Sequence, residues 1–406
     1  MSINIPSGYK QTKVGVIPED WEVVKLEDVG NFIGGGTPST TNEQYWHGNI
    51  PWISSSDLTE NSIFSIKKHR FITENAILES ATKKIPKNSI LIVSRVGVGK
   101  VAISDEELCT SQDYQCLIPK NVNTIFLTYL IKEKTKLLIA FNQGTSIKGF
   151  VKNDLKNLKI PLPPLKEQQK IAQILTTWDS AISKQKELIE AKERLKKGLM
   201  QKLLSGEVRF DGFSGEWEEI PLKEALKERK TYSEKGLEFV HVSLTKEGVV
   251  PKSDRYERDF LVKDDNKKYK ITYLNDICYN PANLKFGVIC KNTLGTAIFS
   301  PIYITFELNE NHNIDFFGYL LTTNDFINRV RKYEQGTVYE RMAVSPKDFL
   351  SYKLKLPPLQ EQQKIAQVLT TADKEIELLK DELDTLKEQK KGLMQRLLSG
   401  VVRVKV

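Results

Sequence analysis

Apolar residues recur at alternating spacings of four and three along two long stretches of the chain. The second stretch has Ile365, Leu369, Ala372, Ile376, Leu379, Leu383, Leu386, Leu393 and Leu397. The first stretch has Ile171, Leu175, Trp178, Ile182, Ile189, Leu199 and Leu203 at the matching positions. Polar residues interrupt this pattern at Gln185, Lys192, Lys196 and Lys390. Because heptad spacing aligns apolar side chains along one edge, each stretch is predicted to be a helix of about 40 residues, roughly 60 Å long.

Proline and glycine mark where both helices are predicted to begin and end. A pair of prolines precedes each helix, and Gly206 and Gly400 stand where a C-terminal cap belongs. A homodimeric coiled coil would satisfy the heptad pattern. Since one chain holds two such helices joined through a globular block, antiparallel pairing within the chain is favoured.

The two helices are part of an internal repeat. The segment LPPLKEQQKIAQILTTWD from Leu162 matches LPPLQEQQKIAQVLTTAD from Leu356, at an offset of 194 residues. At the same offset, KKGLMQKLLSG matches KKGLMQRLLSG, and about 29 of 48 aligned positions are identical without a gap. The chain is therefore predicted to contain two copies of one plan. Each copy is a variable block followed by a long helix, with boundaries at 1–160, 161–206, 207–355 and 356–406.

Both variable blocks are predicted to mix strands with a late helix. In the first block, strand-like runs at 89–104 and 114–120 precede a helical stretch at 126–141. In the second block the strand-like runs are 271–280, 287–292 and 295–308, and a helix is predicted near 315–332. Each block then has a Gln-Gly-Thr turn and a final strand that leads into the long helix. The predicted fold class is α+β.

Composition narrows the class of protein. With 406 residues and 40% hydrophobic content, each block can build a core, and the net charge of +8 weakly favours an anionic partner. The spacing of Cys109, Cys116, Cys278 and Cys290 fits neither a secreted disulfide framework nor a zinc site, so reduced, mostly buried thiols in a cytoplasmic protein are predicted. The first residues, MSINIPSGYKQ, lack an apolar stretch and no apolar run reaches 18 residues, so neither secretion nor a membrane span is expected.

No catalytic motif was identified. The run SRVGVGKVAIS lacks the GxxxxGK spacing of a phosphate-binding loop and is predicted to be a glycine-rich strand turn. The segment 279–283 lacks the second proline and the aromatic residue of an adenine methyltransferase loop, so a polar turn is predicted there. Four scattered histidines have no metal-ligand spacing, and the triplets Glu190-Ala191-Lys192 and Glu388-Gln389-Lys390 are expected on solvated helix faces.

The whole chain resembles the specificity subunit of a Type I restriction-modification system. The resemblance rests on the two LPPLxEQ helices ending in KxGLMQxLLSG, together with GVIPEDWEVVKLEDV, the loop at 34–58 and GFSGEWEEIPL. It implies two target recognition domains, 1–160 and 207–355, separated by the two helices, each reading one half of a bipartite, asymmetric DNA site. It also implies that the helices dock modification subunits, two in number, and that a restriction subunit joins the complex. Adenine methylation and DNA cleavage, with S-adenosylmethionine, ATP and magnesium, would belong to those partners, whereas this chain would be non-catalytic and hold no cofactor or metal.

Candidate DNA-binding residues fall into two groups. Phosphate contacts are expected from basic clusters with interleaved aromatic residues. These are Lys67, Lys68, His69, Arg70, Lys83 and Lys84 in the first block, and Lys252, Arg255, Tyr256, Arg258, Lys263, Lys267, Lys268, Tyr269 and Lys270 in the second. Base contacts need side chains with matched donors and acceptors in a groove. The candidates are Arg95, Gln112, Gln143, Thr145, Ser146 and Lys148 in the first block, and Asn280, Asn283, Lys285, Gln335, Thr337, Tyr339 and Arg341 in the second.

Alternatives to these assignments remain open. Each basic cluster alone is equally compatible with a solvated surface, and the two Gln-Gly-Thr segments could serve only as turns. A coiled-coil transcription regulator or a non-enzymatic scaffold would also account for the helices. A regulator usually binds a palindrome, whereas a DNA site with two unlike halves favours the specificity subunit.

Overall fold

The computed structural model describes residues 5–141, 149–233, 239–252, 268–334 and 343–405. The chain folds into two compact units, the first within Met1–Lys186 and Asp381–Val406 and the second within Glu187–Lys380. Each unit holds one variable block and a part of each long helix. The predicted α+β class is confirmed.

The described residues of the first unit form short strands in four sheets. The strands are β1 Tyr9–Thr12, β2 Gly15–Pro18, β3 Glu22–Lys25, β4 Gly30–Gly34, β5 Ile50–Ile53, β6 Arg70–Ile72, β7 Lys84–Ile85, β8 Ile90–Val93, β9 Val101–Ile103, β10 Leu108–Thr110, β11 Tyr114–Pro119 and β12 Lys159–Leu162. Two four-stranded sheets have the orders β6-β5-β10-β7 and β4-β11-β8-β9, and the pairs β1-β2 and β12-β3 complete the set.

The second unit contains the remaining described strands. They are β13 Glu218–Pro221, β14 Leu226–Glu228, β15 Tyr232–Ser233, β16 Val240–Leu244, β17 Val249–Pro251, β18 Tyr269–Thr272, β19 Ile277–Tyr279, β20 Ile289–Lys291, β21 Ala297–Phe299, β22 Ile304–Leu308 and β23 Lys353–Leu356. Their sheets have the orders β14-β22-β19-β20, β15-β18-β21-β16-β17 and β13-β23.

The helices of the described residues include both of the predicted long helices. They are α1 Glu74–Leu78, α2 Thr124–Phe141, α3 Lys152–Lys156, α4 Leu165–Leu204, α5 Leu222–Ala225, α6 Ile314–Leu320, α7 Asn324–Val330, α8 Pro346–Ser351 and α9 Leu359–Leu398. Short 3₁₀ turns lie at Leu26–Val29, Glu43–Trp46, Ser55–Asp57, Leu284–Phe286 and Arg331–Tyr333. Gly206 and Gly400 follow the rods with φ values of +74° and +76°, which confirms the predicted caps.

The single helix predicted near 315–332 is wrong. The structure has α6, then α7, then a 3₁₀ turn. The interruption has a local cause, because the Thr323 hydroxyl accepts a hydrogen bond from the Phe326 N–H at 3.2 Å. That bond caps a new helix N-terminus, where a continuous helix would have no need of a cap.

One four-stranded sheet has the same topology in both units, although their block sequences differ. The sheet β4-β11-β8-β9 has the same order and antiparallel pairing as β14-β22-β19-β20. A parallel pair stands in the other sheet of each unit, β5 with β10 and β16 with β21. The repeat seen in the helices therefore extends through both blocks.

Each unit has its own core, built between its sheet and the long helices. In the first unit, Trp21 and Phe126 are fully buried beside Ile171, Leu175 and residues near the end of α9. In the second, Tyr279 stacks on Phe349 with ring centroids 4.7 Å apart. Burial of these side chains anchors each sheet on the helices, since apolar area removed from water stabilises by about 25 cal/mol per Å².

The long helices run antiparallel within each unit, as predicted. In the first unit, the Gln185 amide donates to the Glu382 carboxylate at 3.0 Å. In the second unit, Lys380 pairs with Glu193 at 2.7 Å, and Lys192 pairs with Glu375. Residue numbers rise along one helix as they fall along the other. The apolar edge along which the two long helices face each other is here called the seam. Gln185 and Lys192 interrupt this seam, and both therefore have partners on the opposite helix.

The polar residues of the repeated LPPLxEQ segment are buried structural groups. The Glu167 carboxylate accepts from Trp21 Nε1 at 2.9 Å and from Arg403 Nε at 2.8 Å. In the second unit, the Glu361 carboxylate accepts from Arg209 Nε at 2.9 Å and from its Nη2 at 2.7 Å. Each carboxylate lies in the first turn of one long helix, and its arginine follows the end of the other.

Glutamine at the next position bonds each helix start to a neighbouring helix start. Gln168 Oε1 accepts from the backbone N–H of Asn123, just before α2, at 2.9 Å. Gln362 Oε1 accepts from the backbone N–H of Asn313, just before α6, at 2.9 Å. The EQ pair thus joins each long helix to its block.

A charge placed in the seam should separate the paired helices. Leu383 is 9% exposed, whereas Leu378 on the same helix is 68% exposed. Leu383→Asp is expected to lower the free energy of unfolding by at least about 3 kcal/mol, because it buries an unpaired carboxylate. The matched control Leu378→Asp should change it by less than about 0.5 kcal/mol. Thermal unfolding followed by circular dichroism measures both, and equal midpoints for the two variants would show that the seam is not buried.

Candidate nucleic-acid interface

Two corresponding hairpins carry most of the described base-contact candidates. In the first unit, β8 and β9 are antiparallel and joined by residues 94–100. In the second, β19 and β20 are antiparallel and joined by residues 280–288. Gly97 and Gly99 have φ values of +76° and +95°, which confirms the predicted glycine-rich strand turn.

The first hairpin presents a cation and an apolar side chain to solvent. Arg95 is exposed, and among the described residues it has no hydrogen-bonding or charged partner. Its neighbour Val96 is 70% exposed. The backbone N–H of Phe150 donates to the Ser94 carbonyl at 3.1 Å, so the chain just after residue 148 lies against the base of this hairpin.

The second hairpin presents different chemistry at the corresponding place. Asn280 is buried, and its Oδ1 accepts from the N–H groups of Ala282 and Asn283 at 3.1 and 3.2 Å, which confirms the predicted polar turn. Asn283 is exposed, and its side chain makes no cap bond to the following turn. Lys285 Nζ lies 5.3 Å from the ring centroid of Phe286, whose ring is largely exposed.

Several candidates lie outside the described residues. They are Gln143, Thr145, Ser146, Lys148, Arg255, Tyr256, Arg258, Lys263, Lys267, Gln335, Thr337, Tyr339 and Arg341. The described residues that follow the two Gln-Gly-Thr segments take equivalent positions. Phe150 bonds to the first hairpin, and the Val344 N–H donates to the Pro281 carbonyl in the second hairpin at 3.2 Å. The assignments within those segments stay predictions.

Gln112 belongs to a second polar group in the first unit. Its Oε1 accepts a hydrogen bond from the Thr37 hydroxyl, and both residues are exposed or half-buried. Thr37 lies in the GGGTPSTT loop, which packs tightly on the strand end before Gln112. A Cβ on Gly35 would stand 2.1 Å from the Ser111 carbonyl oxygen. This contact holds the loop beside Gln112, and sequence reasoning did not include Thr37 among the site candidates.

The basic cluster in the first unit is partly neutralised within the protein. Lys68 pairs with Asp105 at 2.7 Å and with Glu106. The Arg70 guanidinium pairs with Asp57 and lies 4.6 Å from the ring centroid of Trp52. Lys67 is exposed. Lys67 is therefore the most available of the three for a phosphate.

In the second unit the basic residues divide by burial. Lys268 is exposed, and Lys252 is half-buried, with its backbone N–H donating to the His241 carbonyl at 2.9 Å. The expectation that Lys270 faces phosphate is wrong, because its side chain is 1% exposed and pairs with Glu228 at 3.5 Å. Burial lowers the pKa of Lys270, and the nearby Glu228 carboxylate opposes that shift. The cause is its position in β18, whose four residues are all buried.

The remaining sequence predictions concern the cysteines, a metal site and a membrane span. All four cysteines are free and buried, as predicted, and burial raises the pKa of Cys109 to about 12. Across the described ranges, no group of three or more histidine, cysteine or acidic side chains could hold a metal ion. No helix in the described part of the chain combines the length and apolar character needed to cross a bilayer.

Comparison with known proteins identifies the family. Residues 18–193 and 217–388 each match the model described as the Type I restriction modification DNA specificity domain. Together these matches cover most of both units. The chain belongs to the family of type I restriction-modification specificity subunits.

Individual relatives agree with this assignment. The chain is 33% identical over 296 residues to the Type I restriction enzyme MjaIX specificity subunit of Methanocaldococcus jannaschii, covering 66% of this chain and 67% of the relative. It is 27% identical over 417 residues to the MjaVIII specificity subunit of the same organism, covering 96% and 94%. The fold is similar to a chain in a solved structure concerning complex assembly and conformational transition of the type I R-M system, with a TM-score of 0.60, 15% identity, and coverage of 95% and 99%.

Two adjacent glycines test how the GGGTPSTT loop is held. Gly35→Ala should lower the free energy of unfolding by about 1–3 kcal/mol, because the new methyl group meets backbone atoms that must move. At Gly34 a Cβ would meet nothing within 4 Å, so Gly34→Ala should change stability by less than about 0.5 kcal/mol. Chemical denaturation of both variants provides the measurement. If Gly35→Ala were as stable as Gly34→Ala, the close packing of this loop would be refuted.

Proposed function

We propose that each unit of this specificity subunit reads one half of a bipartite, asymmetric DNA site. The observation that carries the proposal is the pair of corresponding hairpins with unlike exposed side chains. One presents exposed Arg95 beside Val96, and the other presents exposed Asn283 and half-buried Lys285 beside Phe286. Because the two hairpins stand on corresponding strands but present different side chains, they suit two different half-sites in one DNA sequence.

The exposed side chains have the chemistry that reads bases. An arginine can donate two hydrogen bonds to guanine, and an asparagine amide can pair with adenine. Exposed Val96 and Phe286 could contact a thymine methyl group or a base step. Lys67 and Lys268, both exposed, would add contacts to phosphates without reading sequence.

The long helices would set the half-site spacing and dock the modification subunits. Two repeated copies of the helix framework suit two modification subunits, and a restriction subunit would join through the complex. Methylation of adenine with S-adenosylmethionine, and ATP- and magnesium-dependent cleavage, are assigned to those partners. The chain itself would be a non-catalytic, cytoplasmic subunit that supplies DNA specificity.

Reciprocal substitutions test the assignment of one unit to each half-site. Arg95→Ala should weaken recognition of one half-site by roughly 1–3 kcal/mol, or about 5- to 150-fold, because a bidentate base contact is lost. Asn283→Ala should produce a similar loss on the other half-site alone. Binding of the assembled methyltransferase to duplexes with one altered half-site measures both effects, and each variant controls for the other. Equal loss on both half-sites for either variant would contradict the assignment.

A lengthened helix pair tests the spacer role. Inserting four residues after Leu188 and four after Glu382, with seam positions matched, should lengthen the pair by about 6 Å while turning it only about 40° beyond a full turn. Since a base pair rises about 3.4 Å, the spacer should grow by one or two base pairs with both half-sites unchanged. A two-residue insertion would rotate one end by about 200° and should abolish activity.

Mapping of methylated adenines reads out the spacer length in each insertion variant. An active four-residue variant that keeps the original spacer would show that partner subunits, and not these helices, set the distance.

A further inference from the structure

Each unit contains a cluster of tyrosine, aspartate and lysine that joins three helices. In the first unit it consists of Tyr129 on α2, Asp179 on α4 and Lys390 on α9, here called clasp 1. In the second unit it consists of Tyr319 on α6, Asp373 on α9 and Lys196 on α4, here called clasp 2. The aspartates and lysines occupy matching positions of the internal repeat.

The two clasps have the same geometry. In clasp 1 the Tyr129 hydroxyl donates to Asp179 Oδ2, Lys390 pairs with Asp179 Oδ1, and Lys390 Nζ lies 5.0 Å from the Tyr129 ring centroid. In clasp 2 the Tyr319 hydroxyl donates to Asp373 Oδ2 at 2.6 Å, and Lys196 pairs with Asp373 Oδ1. Lys196 Nζ lies 5.1 Å from the Tyr319 ring centroid.

Clasp 1 is largely withdrawn from water, and clasp 2 is more exposed. The exposed fractions of the Lys390 and Asp179 side chains are 15% and 21%, whereas Asp373 is 44% exposed. Burial, and then the hydrogen bond to the aspartate, raises the pKa of Tyr129, so the phenol stays neutral and donates. The Asp179 carboxylate therefore has one neutral donor and one cation as partners.

The lysines of the clasps are two of the four residues that interrupt the apolar seam. Lys390 is the break in the heptads of α9, and Lys196 is its repeat mate in α4. Lys390 was expected on a solvated helix face, and that expectation is wrong, because the lysine bonds inward to Asp179. A polar residue at one seam position specifies register, since any shifted pairing leaves it buried without a partner.

The connectivity of the clasps adds a second constraint. In each clasp the tyrosine and aspartate come from one copy of the repeat and the lysine from the other copy. The tyrosine also lies on the late helix of the recognition block, so the clasp ties that block to both long helices at one point. Register and block attachment are thus fixed by the same three side chains.

We propose that the two clasps are positioning devices that set the register of the antiparallel helices and hold each recognition block at a fixed place along them. Fixed register would then determine the spacing of the two half-sites, a consequence that rests on the proposed function. The register itself can be tested without DNA.

Charge reversal in clasp 1 tests whether this particular pairing matters. Cysteines at Gln185 and Glu382, which are hydrogen-bonded across the helices, report native register through a short thiol cross-linker. Asp179→Lys or Lys390→Asp alone should lower the cross-linking rate by about tenfold or more, because each leaves like charges in a partly buried site. Combining the two should restore the rate to within about twofold.

A mispaired double variant is the matched control. Asp179→Lys with Lys196→Asp has the same composition as the rescuing double, but it places like charges together in both clasps. It should cross-link no faster than the single variants. Equal rescue by both doubles, or rescue by neither, would overturn the proposal.

An apolar clasp separates register from stability. Tyr129→Phe, Asp179→Leu and Lys390→Leu together should leave the unfolding midpoint unchanged or raised, because a buried ion pair can often be replaced by packed apolar residues without loss. With register no longer specified, cross-linking of Gln185→Cys to Gln389→Cys, one heptad out of register, should rise at least about fivefold. A stable apolar variant that cross-links only at position 382 would overturn the proposal. Because these results involve no DNA, they stand apart from any failure of half-site reading.

Discussion

Two buried carboxylates, Glu167 and Glu361, provide the interaction on which the repeated architecture depends. Each lies in the first turn of a long helix and is fully withdrawn from water, so each requires a cation. That cation is an arginine from the end of the opposite helix, Arg403 for Glu167 and Arg209 for Glu361. Neither long helix supplies the cation for its own start. The exchange of arginines therefore makes the two long helices mutually dependent.

Because these contacts lie in the helix framework, the exposed side chains of the two recognition blocks can differ from each other. The helix starts, the caps and the Tyr–Asp–Lys clasps use repeated residues, whereas the hairpin tips carry unlike side chains on matching strands. Arg95 and Asn283 can therefore change without disturbing the buried anchors. A framework held by repeated polar contacts, with variable tips, is a physical basis for a subunit that supplies sequence specificity to a common complex.

Much of this organisation could be predicted from the sequence, and the exceptions have physical causes. The heptads, prolines and terminal glycines predicted the two long helices, because helix periodicity and capping are local properties. The burial of Lys270 could not be predicted from its basic neighbours, since it depends on strand pairing with β15 and β21. The break between α6 and α7 depends on one threonine cap. The clasps were not predicted, because each aspartate and its lysine are about 200 residues apart in sequence. A signal was present for the tyrosines. Asn123, Phe126 and Tyr129 recur at the same spacing as Asn313, Phe316 and Tyr319.

The most direct test of the central claim is the map of methylated adenines in cells that carry the modification subunits, with and without this chain. Because the hairpins of the two units present different side chains, we expect one motif of two different short halves separated by a fixed spacer. This motif should be present only when the chain is expressed. A palindromic motif, or a methylation map that does not change when the chain is removed, would contradict the account.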